Sequence, residues 1–118
     1  LIPKFDNIII VGGMANNILK FKGFPIGKSI KEDNCDKIID EIFSLSKKEK
    51  CKISYPEDVV VGKSLKASPE IKSLNDVLSN EMILDVGPKT IRTITNILSF
   101  TLFLLDNNLL LYYFDFGF

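Results

Sequence analysis

The chain has 118 residues, enough for one domain with a single core and too few for two lobes around a cleft. Fifteen basic and fifteen acidic residues cancel, so nothing in the net charge points to a nucleic-acid partner. Histidine is absent, which removes Ser-His-Asp and Cys-His catalysis and the usual zinc sites, and with Arg92 the sole arginine any phosphate recognition leans on lysine or backbone N–H groups.

Leu1-Ile2-Pro3-Lys4-Phe5-Asp6 lacks the basic-then-apolar form of a signal peptide and has no initiator Met, so the chain is expected to be cut out of something longer or to begin in mid-frame. Asp6 to Val11 is a β-branched run without alternation, the pattern of a strand buried on both faces. Gly12-Gly13 ends it, and Met14 to Lys20 reads as a helix with Ile18 and Leu19 inward and Gly23 as its stop. Ser29 with Glu32 has the spacing of a capping box, although Asp33 or Asn34 could equally open the next helix. That helix runs from Asp36 to about Lys48, with Ile38, Ile39, Ile42 and Phe43 on one stripe. Lys47, Lys48, Lys50 and Lys52 suit its C-terminal dipole.

Cys51 to Tyr55 reads as a strand stopped by Pro56, and Asp58-Val59-Val60-Val61 as another short apolar segment before Gly62. Lys63 to Asn80 reads as an exposed excursion. Met82 to Val86 is a further buried strand, followed by Gly87-Pro88 and a helix from Pro88 to Ser99 with Ile91, Ile94, Ile97 and Leu98 inward. Thr101 to Leu105 reads as the last strand. Strands alternating with helices predict an α/β fold, a mainly parallel sheet covered by helices on both faces in three layers. Ligands bind such sheets beyond the carboxyl ends of the strands, where both glycine turns fall.

Cys35 and Cys51 have neither CxxC spacing nor the density of a disulfide scaffold, and read as reduced thiols. The most apolar stretch, Phe100 to Phe118, carries Asp106, Asn107 and Asn108 in its middle. A carboxylate there would cost about 2.5–3.5 kcal/mol in a bilayer, so no membrane span is expected.

A glycine turn after a strand is either a plain tight turn or a place where backbone approaches a ligand. The order of the segments favours the second, because it resembles the C-terminal, nucleotide-binding domain of phosphoglycerate kinase. Val11-Gly12-Gly13-Met14-Ala15 looks like that family's G-G-G-M-A turn, with Val11 in place of the first glycine. Ile26-Gly27-Lys28-Ser29 is similar to its I-G-K-S segment, and Pro56-Glu57-Asp58-Val59-Val60-Val61 to P-x-D-x-V. Met82 to Thr90 looks like M-x-L-D-x-G-P-x-T.

The resemblance covers about residues 6–101. Beyond it, Asn108 to Asp115 stands against the family's N-G-P-x-G-x-F-E loop, with Leu109, Leu110 and Tyr112 replacing two glycines and a proline. Asp115 stands where the family has a ribose-binding glutamate, and its shorter side chain leaves that contact weakened or lost.

The resemblance implies a Rossmann-like, incomplete domain over residues 1–118. It implies a share in reversible phosphoryl transfer between 1,3-bisphosphoglycerate and Mg-ADP, giving 3-phosphoglycerate and Mg-ATP in cytoplasmic glycolysis. Gly12 and Gly13 would form one wall of an adenine slot, Gly87 and Pro88 the neighbouring turn, and Asp115 a ribose acceptor. No residue of the chain is expected to be catalytic or to ligate a metal. In the family the lobe that holds 3-phosphoglycerate lies outside this segment, and the full-length protein is expected to be a monomer without nucleic-acid or membrane partners. Lys28 and Lys63 read as solvated charges or as groups near phosphates, and Asp85 as ordinary turn chemistry or as orienting the Gly87 turn. The rival expectation is a non-catalytic remnant of a truncated kinase gene. It is favoured by the β-prone, uncharged window Leu109 to Phe114. A binding module without chemistry has no feature in its favour.

Overall fold

The computed structural model describes residues 7–66, 68–103 and 109–114. The β-branched run forms β1 (Asn7–Gly12), and α1 (Gly13–Phe21) follows it with no intervening residue. Next come α2 (Asp36–Lys48), β2 (Lys52–Ser54), β3 (Asp58–Gly62) and β4 (Glu70–Ser73). A single 3-10 turn (Leu74–Asp76) leads to β5 (Met82–Val86), α3 (Pro88–Phe103) and β6 (Leu109–Phe114).

β1 is the centre of a parallel sheet ordered β2-β1-β6, with Asn7 level with Lys52 on one side and with Leu109 on the other. Its Ile9 and Ile10 are buried on opposite faces of the pleat, as the unalternated run predicts. The α/β class with a parallel sheet is therefore present. Beside it stands a second sheet that the alternation of elements did not announce: β3 pairs antiparallel with both β4 and β5. A bulge between Val60 and Val61 leaves Leu84 of β5 as the extra residue.

α1 joins the two sheets because its buried residues point both ways. Ala15 and Ile18 pack with Ile10 and with Ile39 of α2, whereas Leu19 packs with Val59 and Val61 of β3, Ile26 and Val77. Tyr55 borders both clusters, and its ring meets Phe43 edge to face at 6.2 Å. Asn16 and Asn17, also buried on α1, bind the strap that follows the helix. Asn16 donates to Ile30 O, and Asn17 both donates to Glu32 O at 2.7 Å and accepts from Glu32 N at 3.0 Å. Gly23 (φ 92) ends α1 in a Schellman turn, with Phe24 N–H on Leu19 O and Gly23 N–H on Lys20 O.

Several local expectations are corrected. Ser29 opens no helix, and neither Asp33 nor Asn34 does; the N-cap of α2 is Cys35, without a side-chain bond. Of the α2 stripe only Ile39 is buried and Phe43 half-buried, while Ile38 and Ile42 face solvent, because α1 and β2 cover a narrower band than the sequence stripe. Ile91 of α3 is likewise exposed. The excursion from Lys63 to Asn80 contains β4 and buried Val77. α3 continues through Phe103, so Thr101 to Phe103 are helical and not strand, with Leu104 and Leu105 outside the described residues. A β-prone composition there yields to continuation of an already nucleated helix. Cys35 and Cys51 are not joined in a disulfide, and among the described residues no helix is long and apolar enough to cross a membrane.

Leu19→Ala is expected to lose about 3–5 kcal/mol in urea unfolding, because it opens a cavity between the sheets. Ile38→Ala, on the exposed face of α2, is expected to stay within about 0.5 kcal/mol of the unchanged chain.

Candidate functional site

Gly12 closes β1 with φ 76 and ψ −153, a combination that essentially only glycine adopts, and it is the N-cap of α1. No side chain caps α1 and no acidic residue lies in its first turn. The helix thus begins at the carboxyl end of the central parallel strand with Gly13 as its first residue. This arrangement lets a ligand approach backbone N–H groups closely.

The second turn is built differently. Gly87 links β5 to α3 and occupies the N-cap position, where it has no side chain to offer the orphan N–H groups of the helix. The carboxylate of Asp58, at the start of β3, takes that role from another strand. Its Oδ2 accepts from Lys89 N–H at 3.0 Å, and its Oδ1 accepts from Thr90 N–H at 2.8 Å and from the Thr90 hydroxyl at 2.7 Å. Gly87 N–H donates to Asp58 O at 2.9 Å. Thr90 Oγ1 in turn accepts from the N–H groups of Glu57 and Asp58 at 2.9 and 3.1 Å. Asp58, Gly87 and Thr90 are all buried. A Cβ built on Gly87 would overlap the Asp58 carboxylate, so glycine is required here by close approach and not by backbone angle.

A parallel interlock holds the segment Ile26 to Ser29. Gly27 (φ 58) lies so close to the carbonyls of Leu78 and Glu81 that a Cβ would collide with both. Lys28 N–H donates to Glu81 O at 2.8 Å, and Ser29 Oγ accepts from Ile83 N–H at 2.8 Å while donating to Ile26 O. The buried Glu81 carboxylate accepts from Lys72 Nζ and from Leu78 N–H, each at 2.8 Å.

Burial pushes the Asp58 carboxyl up, but the Thr90 hydroxyl and N–H, the Lys89 N–H and the Arg92 charge outweigh it and hold the group below the ordinary aspartate range. The hydrogen bond from Lys72, then that from Leu78 N–H, likewise lowers Glu81. Among the described residues no three Cys, Asp or Glu converge as metal ligands.

The predicted site residues therefore sit as follows. Gly12 and Gly13 join β1 to α1; Gly87 is buried against Asp58, and Pro88 is the exposed first residue of α3. The two turns belong to adjoining elements, because Ile9, Ile10 and Val11 of β1 share a crevice with Thr90, Thr93 and Ile94 of α3. Asp115 lies outside the described residues. Asp85 Oδ1 accepts at 2.7 Å from the N–H of Val86, the residue before Gly87, while Asp58 binds Gly87 N–H and the first N–H groups of α3. Lys28 and Lys63 are exposed. The residues 109–114 form β6, paired with β1 over six positions. Asp58 and Thr90 were missed as organisers. Their signal was the presence of an acid and a hydroxyl inside two of the quoted motifs, which spacing alone does not pair.

Asp58→Asn is expected to cost about 2–3 kcal/mol in urea unfolding, since an amide nitrogen then faces N–H donors. Gly87→Ala is expected to destabilise the chain, but much less in an Asp58→Ala background where the overlapping carboxylate is gone; additive losses in this double-mutant cycle would contradict the contact. Because both carboxyls are lowered in the folded state, their stabilisation is full above the unfolded value of about 4 and is lost as pH falls through the folded values. Thermal unfolding from pH 7 to pH 3 should show the melting temperature dropping mainly below pH 4, with a smaller drop in Asp58→Asn.

A family model described as phosphoglycerate kinase matches residues 1–107. The phosphoglycerate kinase of Zymomonas mobilis subsp. mobilis is 45% identical over 100 residues, 83% of this chain and 25% of that protein. That of Legionella pneumophila strain Corby is 44% identical over 97 residues, 78% of this chain and 24% of that protein. Among solved structures, the phosphoglycerate kinase of Coxiella burnetii superposes with a TM-score of 0.75 at 34% identity, over 78% of this chain and 24% of its own. The chain spans about a quarter of the length of the curated relatives it matches. With the family's motifs interlocked pairwise in the fold and the match running through nearly the whole sequence, this chain belongs to the phosphoglycerate kinase family.

Proposed function

We propose that the chain is a partial C-terminal, nucleotide-binding domain and supplies part of the ADP/ATP site of a phosphoglycerate kinase. The reaction is reversible phosphoryl transfer from 1,3-bisphosphoglycerate to Mg-ADP in cytoplasmic glycolysis. The observation that carries this reading is family membership combined with Gly12, held in a glycine-only conformation where the central parallel strand meets an uncapped helix. In it Gly12 and Gly13 form one wall of the adenine slot, Gly87 and Pro88 the adjoining turn, and Asp115 the ribose acceptor.

The N–H groups of α3 are already engaged by Asp58, so the Gly87 turn offers the nucleotide a backbone surface and no free helix terminus for its phosphates. Phosphoryl transfer depends on positioning and neutralising charge between two lobes, and this segment contributes no acid, base or nucleophile. The substrate 3-phosphoglycerate is held by the other lobe, and the segment alone is inactive.

A second reading, a non-catalytic remnant, is favoured by β6, a regular strand where the sequence resemblance leads one to expect a glycine-containing loop. Calorimetric titration of the folded chain with Mg-ADP separates the two. Saturable binding at one site, without turnover in a coupled phosphoryl-transfer assay, is the expected outcome. No heat from a sample with intact circular dichroism would favour the remnant.

A further inference from the structure

Ser54, the last residue of β2, carries a hydroxyl oxygen that is sealed from solvent and has no hydrogen-bond partner among the described residues. A buried hydroxyl in that state is costly, and such atoms in folded proteins are regularly satisfied by ordered water. Ser54 lines a crevice of about 10 Å³ between the C-terminal half of β1 and the first two turns of α3. That is the space of a single water.

Hydrogen-bonding capacity around the crevice is unequal. Thr90 Oγ1 already accepts two N–H bonds and donates to Asp58, so it has nothing left to give. Thr93 Oγ1 donates to Glu57 Oε2 at 2.8 Å and keeps an acceptor lone pair. Ser54 Oγ offers both a donor and an acceptor. The remaining side chains that line the space, apart from Tyr55, are the aliphatic ones of Ile9, Ile10, Val11 and Ile94. Empty protein cavities are apolar throughout, whereas this one has two polar groups with unused capacity.

We propose that one water molecule occupies this crevice and bridges Ser54 Oγ to Thr93 Oγ1. It ties the end of β2 to α3 and so fixes the spacing between the strand layer that carries Gly12 and the helix that begins after Gly87. The inference rests on the geometry of the crevice and stands whether or not the chain binds nucleotide.

A high-resolution crystal structure of the full chain is expected to show one density peak within hydrogen-bonding distance of both oxygens. Ser54→Ala is expected to lower the melting temperature by removing one end of the bridge. A crevice without density, or a Ser54→Ala variant whose melting temperature rises or does not change, overturns the proposal: in a dry crevice, deleting an unsatisfied hydroxyl removes a cost.

Discussion

A single buried carboxylate organises the half of the molecule that carries the second glycine turn. Asp58 sits at the start of β3, yet its oxygens are spent on the N-terminus of α3, a helix that follows a different strand. A helix end needs acceptors for its first N–H groups, and a carboxylate there also meets the positive end of the dipole. Supplying it from a neighbouring strand converts a local cap into a tertiary bond. β3, the Gly87 turn and α3 are therefore held to one another through it.

The residues that make the sequence recognisable are the ones this interlock and its counterpart consume. Asp58 of one motif meets Gly87 and Thr90 of another; Gly27 and Ser29 of a third meet the turn and strand at 78–83. Each glycine is compelled by a specific neighbour, a carboxylate in one case and two carbonyls in the other. A family signature here is largely a record of segments that touch one another. Gly12 differs, since its demand is conformational and its helix is left without a side-chain cap.

α1 makes the two sheets one body. Two adjacent residues, Ile18 and Leu19, enter different clusters, so the helix is buried along its whole middle and its Asn16 and Asn17 must find partners inside the protein. They find them on the backbone of 30–32. This explains why Ser29 serves the strap and not a helix start: the strap is held by side chains of α1 and by Ile83 N–H, which leaves α2 to begin at Asp36.

By itself the sequence determined the central strand, the C-terminal end of α2, the helix stop at Gly23 and the family, because each rests on local chemistry or on motif order. Periodicity could also say that Ile38, Ile42 and Ile91 were apolar, but not that the elements opposite would fail to reach them. The antiparallel pairing of β3 with β4 and β5, the extension of α3 through Phe103, and the partnership of Asp58 with Thr90 were decided only by the tertiary structure. Strand direction and trans capping are relations between segments far apart in the chain, and no local pattern encodes which distant donor a buried acceptor will meet.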